Sequence, residues 1–232
     1  MGLPDVVYIV RDGDDNETLR YSLRSLANLP HRDIYIVGHR PAWVTGIEHV
    51  PGNRYSAKAQ NVHDNVRLAC SISEATGTVV LMNDDFFVVH PDPTLDPWWR
   101  EPLADHIASI PWSTWRQSLE AARSWLAADG VVEPLSYELH VPLAMDRAEM
   151  AQVLDEVGAY SPLFPPQWRT VYGNRVELGG VRHPDVKVAV DGDWDDGWPF
   201  LSCTEQSWSD GPVGHHVRDL FLDPSPYEGD SP

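Results

Sequence analysis

The sequence predicts an α/β fold built on a wound, mostly parallel sheet, and the pattern of the N-terminal part supports this prediction. Apolar runs at residues 5–10, 33–38 and 78–82 have the composition of buried parallel strands. Between them, apolar residues recur at helical spacing over residues 17–27 and 57–73. Strands that alternate with helices in this way are typical of a parallel sheet with both faces covered.

Acidic segments follow the first and the third predicted strands. Asp12, Asp14 and Asp15 come after the first strand, and Asp84 and Asp85 come after the third. Because crossovers between parallel strands are right-handed, the carboxyl ends of these strands meet at one rim, where such sheets bind ligands. Both acidic segments should therefore border one site, although loop polarity and helix capping are the commoner roles of the first segment.

The rest of the chain has a different composition. Prolines and tryptophans are frequent in residues 91–135, which we interpret as a helical insertion over the rim, with a helix at about residues 114–128. Asp146 and Glu149 form a capping box for a further helix, which Gly158 ends. The C-terminal part beyond this helix is rich in loop-forming residues.

The composition argues against several classes of protein. A run of about 18 apolar residues is absent, as is a basic and apolar leader, so we expect a cytoplasmic protein without a membrane segment. The formal charge of −18 argues against broad nucleic-acid binding. Lys58 and Lys187 are the only lysines among 17 basic residues. This bias suggests a GC-rich genome, that of a bacterium or of a virus that infects one.

The segment Asn83-Asp84-Asp85 contains candidate metal ligands. A carboxylate at a strand exit can hold a hard divalent cation that bridges the oxygens of a diphosphate. Adjacent side chains in an extended segment point in opposite directions, so one of the two acids is expected to contact the metal. A solvated turn is the alternative interpretation. Arg11, at the exit of the first strand, is a candidate phosphate contact.

Two later segments contain residues suited to catalysis. His140 precedes the rigid Val141-Pro142 segment, and a histidine can act as a general base near neutral pH. Arg169 offers a guanidinium suited to bidentate phosphate contact, ahead of a predicted turn at residues 172–174. For either residue taken alone, a structural or surface role is the simpler interpretation.

Taken together, these segments resemble the Stealth protein family. That family includes bacterial capsular-polysaccharide sugar-phosphate transferases and the animal hexosamine-1-phosphotransferase that tags lysosomal enzymes. The blocks that carry the resemblance are, in chain order, residues 5–8 with 12–14, 17–25 with 34–37 and 41–43, 83–87, 138–142, 169–174 and 224–228. Each block alone is weak evidence for the family, whereas the whole set in this order is specific to it. The chain is short for the family and corresponds to a minimal core.

The resemblance implies a GT-A-like fold, a nucleotide-sugar donor such as a UDP-sugar, and a divalent metal, Mg²⁺ or Mn²⁺. It also implies that Asp85, His140 and Arg169 occupy functional positions. Thr204-Glu205 stands where the family carries an Asn-Asp pair, which makes Glu205 a second candidate metal ligand.

Further candidate donor contacts are Arg11, Asp12, Lys58, Asn61 and Asp84. The predicted organisation is a single catalytic domain of residues 1–232. It comprises a nucleotide-sugar-binding half (1–90), the helical insertion (91–135) and an acceptor and catalytic half (136–232).

The leading hypothesis from the sequence is metal-assisted transfer of sugar-1-phosphate. His140 would act as general base, while Arg169 and a metal held by Asp85 and Glu205 would stabilise the phosphoryl charge. A close alternative is a glycosyltransferase that moves the sugar itself onto a glycan, a protein or a hydroxymethylated DNA base. A third, non-catalytic alternative is a carbohydrate-binding module that stacks sugars on its ten tryptophans.

Overall fold

The computed structural model describes residues 2–13, 15–55 and 57–229 of the chain. Asp14, one of the acidic residues after the first predicted strand, lies outside them. The helices are α1 (Glu17–Ser25), a 3-10 turn (Leu26–Asn28), α2 (Lys58–Cys70), α3 (Leu103–Ser109), α4 (Thr114–Ala128), α5 (Arg147–Val157), α6 (Trp168–Arg175), α7 (Glu205–Asp210) and α8 (Pro212–Leu220). The strands are β1 (Asp5–Val10), β2 (Ile34–Gly38), β3 (Glu48–Pro51), β4 (Thr78–Asn83), β5 (Phe86–Val88), β6 (Trp98–Trp99), β7 (Glu101–Pro102), β8 (Leu135–Ser136), β9 (Leu143–Asp146), β10 (Val181–Arg182), β11 (Lys187–Val188) and β12 (Phe200–Cys203).

The central sheet has five strands in the order β3-β2-β1-β4-β9. Strands β1, β2, β3 and β4 pair in parallel, and β9 pairs antiparallel with β4 at the edge. The predicted wound, mostly parallel sheet is therefore confirmed. The sequence places a loop at residues 39–55, where the structure has β3. This prediction was wrong because β3 is a short, half-exposed edge strand without the apolar pattern of a buried one.

Alternate side chains of β1 pack into two different cores. Val6 and Tyr8 face α1 and the 3-10 turn, whereas Val7 and Ile9 face a layer that contains α2, α5 and α6. This alternation follows from the pleat of a strand, since successive side chains point to opposite faces. The sheet is thus covered on both sides.

The helix predicted at residues 114–128 is α4, and the predicted capping box is present at α5. The Asp146 carboxylate accepts hydrogen bonds from the backbone N–H groups of Ala148 and Glu149. The C-terminal part is less loop-rich than predicted, because it contains α6, α7 and α8. The predicted turn at residues 172–174 lies inside α6. That helix is buried on most of its surface, so its sequence lacks the amphipathic period of a surface helix.

An antiparallel edge strand brings the segment that contains His140 to the rim of the sheet. Leu143, at the start of β9, lies opposite Leu81 near the carboxyl end of β4. The loop that leads into β9 therefore approaches the same rim as the acidic turn that follows β4.

The C-terminal segment is tied to α1 by a largely buried ion-pair cluster. The Glu228 carboxylate accepts hydrogen bonds from Arg24 Nε at 2.7 Å, Arg24 Nη2 at 2.8 Å and Arg20 Nη1 at 2.9 Å. Burial alone would raise the pKa of Glu228, but the bonds from Arg24, from the Ser225 N–H and from Arg20 hold it at about 2. No helix in the described ranges combines the length and apolarity that crossing a membrane requires.

Candidate active site

The carboxyl ends of β1 and β4 open into a cleft of about 930 Å³. All of the site residues predicted from the sequence except Glu205 line it, namely Arg11, Asp12, Lys58, Asn61, Asp84, Asp85, His140 and Arg169. Glu205 lines a smaller cleft of about 580 Å³, which shares Arg11, Asp85 and Lys187 with the larger one. The fold therefore assembles these residues along two adjoining clefts.

The backbone approaches itself closely at the floor of the larger cleft. Gly38 has a φ of +109°, and a Cβ atom there would lie 2.3 Å from the carbonyl oxygen of Val10. A side chain at this position would separate the ends of β1 and β2. The glycine lets the two strand ends meet and leaves the space above them open.

Three helices begin at the cleft, which makes its electrostatic field more positive. Residues in the first turns of α2, α4 and α6 line it, including Lys58, Thr114 and Arg169. The free N–H groups at a helix N-terminus and the helix dipole both favour anions. A phosphorylated ligand in this cleft would meet these favourable groups despite the chain's net negative charge.

Asp84 is buried behind the rim. Its Oδ2 atom accepts a hydrogen bond from Asn16 Nδ2 at 2.9 Å and lies 3.5 Å from Arg11 Nε. Burial and the neighbouring charge of Asp85 raise the pKa of Asp84. Asn16 also caps α1 through its Oδ1 atom, with a left-handed φ of 37°. Asp84 thus fixes the rim to α1 and is less accessible to a ligand than Asp85.

Asp85 and Glu205 each face a basic side chain. Asp85 Oδ2 accepts a hydrogen bond from Lys187 Nζ at 3.0 Å, and Glu205 Oε1 accepts one from Arg11 Nη1 at 2.5 Å. Asp84 and Asp85 occupy a turn between β4 and β5, and not the extended segment assumed from the sequence. One of the two acids is nevertheless buried and the other partly exposed, as expected for side chains that point in different directions.

The donor chemistry at this rim fits a magnesium-like cation. Asp85 and Glu205 place two carboxylates along one small cleft. Within the described ranges no three side chains of the His, Cys, Asp or Glu types converge. Mg²⁺ is usually bound in enzymes by one or two carboxylates with substrate phosphates and water, so two carboxylates suffice. The ion pairs with Lys187 and Arg11 would have to rearrange to free these oxygens.

His140 is held by a carboxylate that the sequence did not reveal. Its Nδ1 atom lies 2.8 Å from Asp185 Oδ2, and its backbone N–H donates to Asp185 Oδ1 at 3.1 Å. Arg100 Nη1 also donates to Asp185, at 3.3 Å. Burial would raise the pKa of Asp185, but the bonds from His140 and the charge of Arg100 lower it to about 2. The carboxylate therefore holds the proton on Nδ1 and leaves Nε2 as the basic ring nitrogen.

Arg169 is 5% exposed, and none of the described carboxylates forms an ion pair with it. One guanidinium nitrogen donates to the Val141 carbonyl at 2.8 Å, and the group lies over the rings of Phe86 and Trp168. Burial lowers the pKa of Arg169 to about 10, so the side chain stays charged at neutral pH. The adjacent carboxylate of Glu138 accepts its hydrogen bonds from Thr170 instead.

Three contributors to the site were missed from the sequence: Asn16, Asp185 and Lys187. Lys187 had one recognisable feature, since it is one of two lysines in an arginine-rich chain and both line the cleft. Asn61 lines the cleft, and its side chain is already hydrogen-bonded. Its amide is engaged on both sides by the Tyr55 backbone, at 2.7 and 2.9 Å, so it shapes the loop before α2.

Two solved structures resemble the chain over nearly its whole length. Galactosyltransferase LgtC in complex with donor and acceptor sugar analogs is 11% identical, with a TM-score of 0.57 over 98% of this chain and 97% of that one. An active-site mutant of LgtC is 12% identical, with a TM-score of 0.52 over 93% and 94% of the two chains. The chain has the GT-A glycosyltransferase fold. It matches no family model, and no curated protein is similar to it in sequence.

Proposed function

We propose that this GT-A chain is a Stealth-type transferase that moves sugar-1-phosphate from a nucleotide-sugar, in particular a UDP-sugar, to an acceptor hydroxyl. The fold supports a nucleotide-sugar donor, because the similar LgtC structure holds donor and acceptor sugar analogs. The ordered sequence blocks of the Stealth family support transfer of the phosphate together with the sugar. A carbohydrate, a protein or a modified base is the acceptor, and the cytoplasmic location stays a prediction.

The observation that carries the proposal is the buried Arg169, which forms no direct ion pair with a described carboxylate, in the same cleft as the His140–Asp185 pair. In sugar-phosphate transfer, the reacting phosphoryl group is anionic, and a preorganised guanidinium stabilises it. In glycosyl transfer, positive charge develops at the anomeric carbon. The leaving diphosphate gains negative charge at the same time, so a guanidinium beside the phosphates would serve that reaction too. Arg169 therefore supports a reaction at the donor diphosphate, and the preference for attack at phosphorus rests on the ordered sequence blocks that resemble the Stealth family.

In the proposed reaction, His140 Nε2 takes the proton of the acceptor hydroxyl. The hydroxyl oxygen bonds to the phosphorus next to the sugar, and the bond from this phosphorus to the oxygen that bridges the two phosphates breaks. Nucleoside monophosphate leaves with that oxygen. Asp185 orients His140, Arg169 donates to the transferred phosphoryl oxygens, and Arg11 and Lys187 face the leaving phosphate. A divalent cation held by Asp85 and Glu205, Mg²⁺ or Mn²⁺, would neutralise diphosphate charge when bound.

Glycosyl transfer is the second candidate, because both similar structures belong to a galactosyltransferase. In that reaction the acceptor attacks the anomeric carbon, and nucleoside diphosphate leaves. A non-catalytic carbohydrate-binding module is the third candidate. The convergence of the His140–Asp185 pair, Arg169 and the acidic rim on one cleft disfavours this candidate, since sugar stacking needs none of these groups.

The proposal can be tested by incubating the protein with a panel of nucleotide-sugars and Mg²⁺ or Mn²⁺, with mass spectrometry of the products. Nucleoside monophosphate with sugar-1-phosphate, or with a sugar-phosphorylated acceptor, is the expected result. Nucleoside diphosphate would identify a glycosyltransferase, and intact donors throughout would favour the binding module. In calorimetry, donor affinity should fall in excess chelator and in Asp85→Ala. Full affinity in chelator would remove the metal from the proposal.

A further inference from the structure

Trp115 differs from the other tryptophans of the chain. It lines the large cleft, is 40% exposed and belongs to none of the hydrophobic clusters. Among the residues that the structure describes, no ring, cation or hydrogen bond contacts it. Each of the other nine tryptophans has such a partner or packs into a core. Trp115 is therefore the tryptophan whose ring is left open to a ligand.

The residues that α4 and the segment before α6 contribute to the cleft lining are uncharged, and we call them the neutral wall. Trp115 and Thr114 come from the first turn of α4, and Leu163 and Gln167 from the segment that leads into α6. Leu163 is largely exposed, and neither Thr114 nor Gln167 uses its side chain in a hydrogen bond within the described residues. An apolar and aromatic surface with a few neutral hydrogen-bonding groups is typical of small-molecule sites.

This neutral wall lies at the opposite end of the helical layer from the donor side of the rim. Helix α4 packs on α6, α6 packs on α5, and α5 packs on α2, which carries Lys58. Arg169, on α6, therefore lies between the wall and α2. A ligand on the wall would approach the reacting groups from the side away from the nucleotide.

We infer that this wall is the acceptor subsite and that it binds a neutral sugar ring on the open face of Trp115. The apolar C–H face of a pyranose suits an aromatic ring, and its hydroxyls match Thr114 and Gln167. A nucleic-acid acceptor would need cations for its phosphates, and this wall has none. The assignment of the ring as acceptor, but not its binding, rests on the proposed function.

The test uses saturation-transfer NMR with neutral methyl glycosides of glucose, galactose, mannose and N-acetylglucosamine, each with and without UDP. At least one glycoside should show contacts through its C–H face. Trp115→Ala should weaken its binding at least about fivefold, as expected for the loss of an aromatic contact, and Trp115→Phe should retain most of it. Trp112→Ala is the matched control, because Trp112 is 71% exposed on the same insertion but does not line the cleft.

Several results would overturn the inference. These are the absence of binding by every glycoside, equal losses in Trp115→Ala and Trp112→Ala, or binding of an unglycosylated peptide or a single-stranded oligonucleotide in place of the glycosides. Loss of UDP binding in Trp115→Ala would assign the wall to the donor. Glycoside binding without any nucleotide binding would retain the subsite while contradicting the proposed transferase, so the two failures are distinguishable.

Discussion

Arg24 and Arg169 are both largely buried arginines, but their surroundings differ. Arg24 is 12% exposed and makes a two-pronged ion pair with Glu228 at 2.7 and 2.8 Å. Arg169 is 5% exposed and is held by one carbonyl and two aromatic rings, without an ion pair. Burying a guanidinium without a hydrogen-bonded counter-ion costs free energy, whereas a guanidinium that donates two hydrogen bonds to one carboxylate can contribute to stability.

The difference separates two kinds of Stealth-like sequence block. The blocks at residues 17–25 and 224–228 meet in the pair between Arg24 and Glu228, so they stabilise the scaffold. The block that begins at Arg169 holds a charge without a direct ion pair among the described carboxylates, and the proposed partner of this charge is an anionic ligand. Breaking the first pair should therefore cost stability, and removing the second charge should cost activity.

The largest expected effect follows Arg169→Met. Donor turnover, measured as kcat/KM, should fall roughly 10²- to 10³-fold, because a donor to the reacting anion is lost. The free energy of unfolding should change little, since relief from burying the guanidinium offsets the loss of its attraction to the buried Glu138 carboxylate. Steady-state kinetics and urea denaturation of the same samples check both expectations. A marked loss of stability would instead place Arg169 in the scaffold.

The next effect concerns Asp185→Asn, which removes the carboxylate that orients the His140 ring. Turnover should fall about 100-fold with little change in donor KM, because the orientation of a general base matters mainly in the transition state. Since the pKa of Asp185 is about 2, its carboxylate stays ionised above about pH 4, and the loss should be uniform there. An equal fall in Asp185→Glu and Asp185→Asn, or a KM effect alone, would contradict a positioning role.

Glu228→Gln tests how much the Arg24–Glu228 pair contributes to stability. The folded pKa of about 2 lies below the ordinary value of 4.5, so this carboxylate stabilises the fold fully above about pH 4.5. That contribution is lost as the pH falls through about 2. The variant should lose on the order of 2 kcal/mol at pH 7, and its difference from the native protein should shrink in acid. Turnover per folded molecule should not change.

Urea denaturation across pH checks this expectation. Glu120→Gln is its control, since the partly exposed pair of Glu120 with Arg116, four residues apart on one helix, should contribute about 0.5 kcal/mol. Similar losses of unfolding free energy in the two variants would show that the Arg24–Glu228 pair contributes no more stability than the Glu120–Arg116 pair.

The smallest effect is expected at Lys58, an exposed residue in the first turn of α2. Lys58→Ala should raise donor KM about three- to fivefold, because a solvated charge near the phosphates contributes roughly 1 kcal/mol. Lys58→Arg should keep the donor KM close to that of the native protein. If kcat fell while KM held, Lys58 would act on the reaction and not on binding.

The sequence predicted the parts of the fold that have strong local patterns. Buried runs identified β1, β2 and β4, and helical spacing with a capping box identified α4 and α5. Strand β3 and helix α6 were missed because their structure depends on tertiary contacts. The first is a half-exposed edge strand, and the second is buried on nearly all sides.

The site residues divide in the same way, into those with a local sequence signal and those that depend on distant contacts. Rim residues such as Asp85 could be predicted because strand ends of a parallel sheet have a known meeting point. The chemistry of His140 and Arg169 made them candidates, but a structural role was the simpler interpretation of each until the family resemblance was considered. Asp185 was missed because its link to His140 spans 45 residues and leaves no local pattern. The same holds for Lys187, which pairs with Asp85 across 102 residues.

The most direct test of the central claim is to determine which bond of the donor breaks. A nucleotide-sugar would carry a heavy oxygen isotope at the atom that joins the anomeric carbon to phosphorus. Product analysis by phosphorus NMR and mass spectrometry would then follow turnover, with water or a sugar as acceptor. The account predicts that the isotope stays with the sugar, in sugar-1-phosphate or its diester, and that nucleoside monophosphate is released unlabelled. Isotope in a released nucleoside diphosphate would show that the bond to the anomeric carbon breaks, and would contradict transfer of the phosphate with the sugar.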